Sequence, residues 1–374
     1  MNNVDILYKM IESGKKGQNT GLSTGIPKLD EYTGGVRRGV YTLIFGLSGS
    51  GKSSLVLYSY IYRPLKDNPD SNIKLVYYSL EMSAEILLSK LLCLYIYETF
   101  GKVIPYTKLM SWQEILSDED YDYVLKGRKW LASISDKLII IDKSLNNKNF
   151  YHSLMNLLEE WGTFQEIDKG NRTIYIKHDP MQLVQVVIDH LGLVTPVDGH
   201  SKKAEMDLIS SYCVSLREKC QVSFVILQQE NRNSADMDRR KAGLTECSPE
   251  DLKDTGNTYN DCEVCIGVYY PLKFKVKQHG NYPIIVEDDK QQGSGSFLGL
   301  RDRYRALCLI KNRHGANDRM IPSNFFGELG IFRELPNGKM VSDYTPFLSL
   351  TQPQTVEIKD EVQKEPKKEI MYSF

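Results

Sequence analysis

The run Tyr41-Thr42-Leu43-Ile44-Phe45, followed by Gly46-Leu47-Ser48-Gly49-Ser50-Gly51-Lys52-Ser53 and then Ser54-Leu55-Val56-Leu57-Tyr58, sets the fold. A short apolar run reads as a buried strand, a glycine-rich turn follows, and Lys52–Tyr62 reads as a helix. The middle portion matches G-x-x-x-x-G-K-[ST] in full, in the strand–turn–helix context that gives the pattern its meaning. Glycines let backbone N–H groups close around phosphate oxygens, and the helix start adds the positive end of its dipole. Gly46, Ser48, Gly49, Ser50 and Gly51 are the candidate cradle for ATP. Lys52 can reach the outer phosphates, the Ser53 hydroxyl can ligate Mg2+, and Ser54, next in the helix start, completes the candidate nucleotide-binding set.

Outward from this loop, strands and helices alternate. Lys74–Tyr78 reads as a strand, and Ser83 as the cap of a helix to about Phe100. Leu138–Ile141 and Val184–Ile188 are β-branched apolar runs, Lys203–Lys219 is helical, and Val222–Leu227, Cys262–Tyr269 and Arg305–Ile310 read as further strands. Continuous apolar strands separated by helices predict an α/β core, with a mainly parallel sheet flanked by helices on both faces. The expected organisation is a short N-terminal helix (Val4–Ile11) and flexible segment over 1–20, a single nucleotide-binding domain over 21–350, and a disordered Lys/Glu/Pro-rich tail over 351–374. Pro271–Arg303, polar and without a period, is expected to be a mobile surface loop.

Composition excludes several classes. At 374 residues with 41% hydrophobic content, the chain can bury a sizeable core, and its formal net charge of -1 rules out a uniformly basic nucleic-acid coat. No apolar run approaches the ~18 residues a membrane span needs. Met1–Met10 mixes polar and apolar residues, which predicts no cleaved leader, and the seven scattered cysteines fit a reduced, cytoplasmic setting. Cys262 and Cys265 form a C-x-x-C with no second pair or nearby histidine, so core packing is expected of them rather than a zinc site.

Two carboxylates stand where nucleotide chemistry needs them. Asp189 ends the apolar run Gln185–Ile188, where a charge is costly without a purpose, and is the expected Mg2+-organising aspartate. Glu81 follows the strand Lys74–Tyr78. Read alone, it fits either a base that orients water or a first-turn helix acid.

Leu22–Asp30, Thr33-Gly34-Gly35 and the phosphate loop together resemble the opening of RecA-like ring ATPases, and most closely the DnaB family of replicative helicases. Ser79–Glu85 is similar to that family's second motif, which implies that Glu81 is the catalytic base. Ile188–Leu193 resembles its Walker B segment, with His190 standing where the family usually has Tyr. Leu227–Arg232 is similar to the segment whose glutamine senses the γ-phosphate; Gln229 aligns with it, and Gln228 replaces the usual Ser. Asp251–Gly256 and Asn260–Glu263 resemble the fourth motif. Lys311-Asn312-Arg313-His314-Gly315 is similar to the K-x-R-x-G segment that carries the arginine finger (here Arg313) and its partner lysine (Lys311).

The resemblance implies an ATP-dependent helicase assembled as a homo-oligomeric ring, most often a hexamer, translocating on single-stranded DNA. Its channel loops fall on Thr195–Lys203, with His200, Lys202 and Lys203, and on Asn233–Thr245, with Arg239, Arg240 and Lys241. The rival reading is a non-translocating recombinase or nucleotide-gated binding protein of the same fold. Members of the family carry a large primase-binding N-terminal domain; with about twenty residues before the core here, primase recruitment through that domain is not expected. The compact form suits a phage or plasmid replication system, with replication proteins as partners and the host cytoplasm as its place if viral. Val4–Ile11 resembles the family's linker helix, which docks on a neighbouring subunit. Phe164–Gln182 receives no assignment.

Overall fold

The computed structural model describes residues 3–112, 114–167, 172–230, 243, 245–286 and 297–350. Its strands, in chain order, are β1 (Tyr41–Gly46), β2 (Ile73–Ser79), β3 (Leu138–Ile141), β4 (Gly162–Ile167), β5 (Arg172–Lys177), β6 (Leu183–Asp189), β7 (Ser223–Gln229), β8 (Val264–Tyr269), β9 (Gln278–His279), β10 (Tyr282–Pro283), β11 (Tyr304–Asn312), β12 (Arg319–Phe326) and β13 (Ile331–Glu334). Nine of them form one sheet in the order β13-β12-β11-β8-β1-β7-β6-β2-β3. The six from β8 to β3 are parallel. Central β1 is buried along its whole length, as its unbroken apolar run requires.

Helices cover both faces. On one side, the helix that starts at Lys52 and continues to Asp67 packs with α-helices Pro27–Thr33 and Ala84–Phe100 around Leu55, Ile61, Tyr62 and Leu91. It passes through a π-helical stretch, Leu57–Tyr62, which is wholly buried. On the other side, Asn147–Trp161 and Lys202–Cys220 pack around Phe150, Leu158, Ile209 and Leu216.

Four expectations need correction. First, Arg305–Ile310 belongs to β11, which pairs antiparallel with β8, and β12 and β13 continue the antiparallel edge. The parallel part of the sheet therefore ends at β8. Second, Pro271–Arg303 is not simply a surface loop. Its described parts include the short β9–β10 hairpin and bury Tyr282, Ile284 and Leu300 in a cluster with Tyr304, Tyr344 and Phe347. Third, the unassigned Phe164–Gln182 stretch contributes to the antiparallel β4–β5 hairpin, held by Phe164 on Tyr175 (ring centroids 4.8 Å apart). Fourth, the N-terminal helix runs from Asn3 to Lys15, one turn further than the apolar pattern implied, and takes in part of the expected flexible segment.

That helix leaves its apolar stripe in the open, with Val4, Leu7, Met10 and Ile11 all 54–59% exposed. Asn19 Nδ2, from the segment that follows the helix, donates to the Met10 carbonyl. Cys262 and Cys265 are free, buried thiols, Cys262 lying just before β8, and no cluster of metal-ligating side chains occurs among the described residues. No described helix is long and apolar enough to cross a membrane. The tail, 351–374, lies outside the described residues.

Candidate functional site

The phosphate loop is built by close approach. Gly46 closes β1 where a Cβ would stand 2.7 Å from the Val268 carbonyl oxygen, so only hydrogen fits. Gly51 takes φ 102° at the helix start, a left-handed conformation that costs glycine little. Between them Ser48 and Gly49 face solvent, and the Ser50 hydroxyl is buried without a partner among the described residues. Lys52 is buried, and its Nζ donates to the Gly46 and Leu47 carbonyls, both at 2.9 Å. Burial pushes this ammonium's pKa down, while the nearby charges of Asp189, Glu230 and Glu81 oppose the shift. Ser54 lies beside Gly330 in the β12–β13 turn, so the antiparallel edge braces the helix start.

Register brings the carboxylates to this loop. Asp189, 1% exposed, ends β6 level with Ser79 at the end of β2. Burial raises its pKa, opposed by the Tyr77 hydroxyl, which donates to Oδ2 at 2.8 Å, and by the nearby Ser53 hydroxyl. The Leu80 amide donates to the Asp189 carbonyl at 2.8 Å, joining the two strand ends. Glu81 follows immediately, exposed, with its charge felt at Lys52, Asp189 and His190.

The alternative role for Glu81, a first-turn helix acid, is occupied by another residue. The helix begins at Ala84, and Glu85 in its first turn takes the Ser83 hydroxyl, which lowers the pKa of Glu85. Ser83 stands at the cap position as expected, but its hydroxyl caps no helix N–H; the Ala84 amide goes to Asp142 instead. His190 is half-buried with Nδ1 unpartnered among the described residues, and burial lowers its pKa.

Gln229 ends β7, exposed and paired in register with Gly46, and the Glu230 amide donates to the Gly46 carbonyl at 3.1 Å. Gln228 points the other way, as strand alternation dictates, and exchanges hydrogen bonds with buried Thr258, between the two parts of the fourth motif. Lys52, Ser53, Asp189, Glu81 and Gln229 thus gather at the C-terminal end of the parallel strands.

Lys311 and Arg313 do not join them. Asn312 is level with Val264, and Val264 with Thr42, at the opposite end of β1 from Gly46. Arg313, whose amide donates to the Glu263 carbonyl, is one residue beyond, about 17 Å along the strands and about 10 Å across them from Gly46, by rise and spacing. Lys311 Nζ donates to the Tyr259 and Asn260 carbonyls, and exposed Arg313 donates to the Asn260 carbonyl, away from the chain's own loop.

Of the expected DNA contacts, Lys202 and Lys203 are exposed but open the helix Lys202–Cys220 instead of lying in a loop, because Ser201 caps it by accepting from the Ala204 amide. His200 is engaged by buried Glu205 at 3.1 Å. Arg239, Arg240 and Lys241 lie outside the described residues.

Sequence reasoning missed three residues of the site. Tyr77 holds Asp189. Arg305, 3% exposed, donates from Nε to the Ser50 carbonyl at 2.7 Å and stacks 3.4 Å from the Tyr270 ring centroid; burial lowers its pKa to about 10. Lys273 donates to the Ser48 carbonyl. Arg305 carried a readable signal, a guanidinium inside an apolar strand that needs a buried acceptor; Lys273, in an aperiodic polar stretch, carried none.

Comparison with known proteins bears on the family and the fold. Residues 21–334 match the family model described as DnaB-like helicase C terminal domain. The chain is similar to the replicative DNA helicase DnaB of Mycoplasma genitalium, 21% identical over 330 residues that cover 87% of this chain and 57% of that protein. It is also similar to the DnaB of Helicobacter pylori, 24% identical over 312 residues covering 82% and 54%. The chain therefore spans little more than half the length of the curated relatives it matches. Among solved structures, one described as an ATPase domain superposes with a TM-score of 0.64 at 19% identity, covering 89% of this chain and 97% of that one. A DnaB-like replicative helicase, described with its interactions with primase, gives 0.64 at 19% identity over 90% and 68%. At such identity these two matches establish the fold.

Proposed function

The chain belongs to the DnaB-like helicase C-terminal domain family, and from that premise we propose that it is the ATP-hydrolysing motor of a ring-forming replicative helicase that moves on single-stranded DNA and separates duplex strands. Residues 1–20 act as a docking segment and 21–350 as the motor. The observation that carries the reading is the split site. The phosphate loop, both carboxylates and Gln229 lie at one end of the parallel strands, and Lys311 with Arg313 lies at the other. A second copy stacked end to face supplies what the first lacks, and repetition of that contact closes a ring, most simply a hexamer.

Within each site Lys52 leaves its two carbonyl acceptors to hold the outer phosphates. Glu81, solvent-facing and outside the helix, accepts the proton of the attacking water. Gln229, one register step from the loop, reports the γ-phosphate to the segment after Glu230. Arg313 of the neighbouring copy stabilises charge on the transferring phosphoryl group, with Lys311 beside it. Ser53 and Asp189 offer hard oxygen donors already near one another, a set that fits Mg2+ bound mainly by phosphate and water. Bound there, the ion neutralises phosphate charge. Exposed Lys202 and Lys203, with Arg239, Arg240 and Lys241, supply non-specific phosphate contacts to DNA.

Parallel unwinding and strand-exchange assays with ATP test the reading. ATP-dependent separation of a forked duplex, with no strand exchange, is expected. Strand exchange without unwinding, or binding without turnover, would replace the helicase with its recombinase-like or nucleotide-gated rival.

A further inference from the structure

The stretch after β8 lies outside every motif that ties this chain to its family, yet it touches the phosphate loop. Pro271–Phe274 forms a single 3-10 turn that starts two residues after β8 ends. Because β8 pairs with β1 on the side opposite β7, the turn emerges over the loop that β1 feeds. Its Lys273 reaches across and donates to the Ser48 carbonyl. The ammonium stands close enough to Gly49 that a Cβ there would lie 3.4 Å from it.

Two lysines therefore flank the same stretch of loop backbone. Lys52 Nζ is held by the carbonyls of Gly46 and Leu47, and Lys273 Nζ by the next one, Ser48. Their ammonium groups thus sit on consecutive carbonyls of one loop, with like charges facing the same backbone. Two ammonium groups gathered on neutral carbonyls repel, and a polyphosphate between them removes that repulsion while giving each a charge-assisted partner. Lys273 is exposed and has a flexible stem, so it can leave Ser48 without disturbing the core. Arg305, by contrast, is buried, stacked on Tyr270 and committed to the Ser50 carbonyl, so it braces the loop and does not move.

We propose that Lys273 is a second, same-chain phosphate ligand, which moves from the Ser48 carbonyl to the γ-phosphate of bound ATP and so favours ATP over ADP. The inference rests on the ATPase reading above and adds to it a residue that the family motifs leave out. Lys52 contacts the outer phosphates in general; Lys273, one carbonyl further along the loop on its solvent side, is available to the terminal group that ADP lacks.

Calorimetric titration of the full chain with Mg2+ and either a non-hydrolysable ATP analogue or ADP provides the test. Lys273→Met is expected to weaken analogue binding by ~10- to ~100-fold, the range of one charge-assisted contact, and ADP binding by less than ~3-fold. Lys273→Arg should keep most of the discrimination, and Lys275→Met, an exposed charge on the same turn, should leave both affinities at wild-type values. If Met disturbs the turn, as a changed melting temperature without nucleotide would reveal, Lys273→Gln replaces it with the same expectation. Unchanged analogue affinity, or equal weakening of both nucleotides, overturns the proposal while leaving the ATPase reading intact so long as Lys52→Ala abolishes binding. A wild-type chain that binds neither nucleotide overturns both.

Discussion

Mixing two inactive variants gives the sharpest test of the split site. Arg313→Ala removes the finger and Lys52→Ala the phosphate-binding lysine, so each homogeneous assembly should be nearly inactive; a finger supplied in trans is worth ~10³–10⁵ in rate. Within one chain Arg313 lies about 17 Å along the strands and about 10 Å across them from Gly46, at the far end of β1 from the loop that carries Lys52. No side-chain rotation closes that gap, so neither variant can repair its own site. In a 1:1 mixture of randomly assembled rings, an Arg313→Ala subunit contributes an intact loop and a Lys52→Ala subunit an intact finger. About a quarter of interfaces pair the two correctly, so ATPase activity should rise to about a quarter of wild type if interfaces act independently. The assay is steady-state phosphate release across mixing ratios, with differently tagged subunits co-purified to establish mixed assembly. A mixture that never exceeds the sum of its parts, although mixed assemblies form, refutes a finger acting between copies.

Glu81→Gln should retain ATP affinity but lose turnover by at least ~10²-fold, because an amide cannot accept the water proton; single-turnover hydrolysis against equilibrium binding separates that from a structural defect, which would lower affinity first. Removing residues 1–14 deletes the exposed Leu7, Met10 and Ile11 stripe, each side chain worth ~1.5–3 kcal/mol if buried at a neighbour; light scattering should find smaller assemblies with poor ATPase activity, and full-sized active ones would dismiss the docking role. Burial holds the Lys177 ammonium at about 8, below its ordinary 10.5. Between those values the unfolded chain binds more protons than the folded one, so stability rises with pH across that window, while below about 8 the full cost of the buried charge is present. Urea titrations at pH 7.5 and 10 should give wild type a gain over Lys177→Met on the order of 2 kcal/mol, discounted for its partial exposure; parallel pH profiles would contradict it.

The parallel half of the sheet was legible because each of its strands is an apolar run ended by a turn, a helix or a functional charge. Asp189 was readable for the same reason, as a carboxylate at the end of a run that otherwise excludes charge. The antiparallel edge was not, because β12 reads Arg-Met-Ile-Pro-Ser-Asn-Phe-Phe. Pro322 and two buried polar residues, Ser323 and Asn324, interrupt the pattern, and the Asn324 Nδ2 donates to the distant Phe347 carbonyl. The helix Asp118–Ile134 received no assignment from the sequence; it opens on three acids, and Asp120 is buried where Lys102 and Lys108 meet it at 3.1 and 3.0 Å. Those partners are separated from it in sequence, which a local pattern cannot report. Gly46, Lys52 and Ser53 were found by spacing alone, whereas Tyr77 and Lys273 became visible only when register and topology set them beside the loop.

The carbonyl of Gly46 accepts from two donors at once, Lys52 Nζ at 2.9 Å and the Glu230 amide at 3.1 Å. A lysine drawn onto phosphate withdraws one of them and leaves the oxygen to the other. The electrical state of the pocket is thereby written onto a peptide group at the root of the segment that follows β7, one residue past Gln229, with no side chain needing to travel. Such a shared acceptor works as a toggle between occupancy and leash. With the lysine engaged elsewhere, the Glu230 amide gains sole claim to a lone-pair-rich oxygen and tightens. When the lysine returns, the claim is divided and the root slackens.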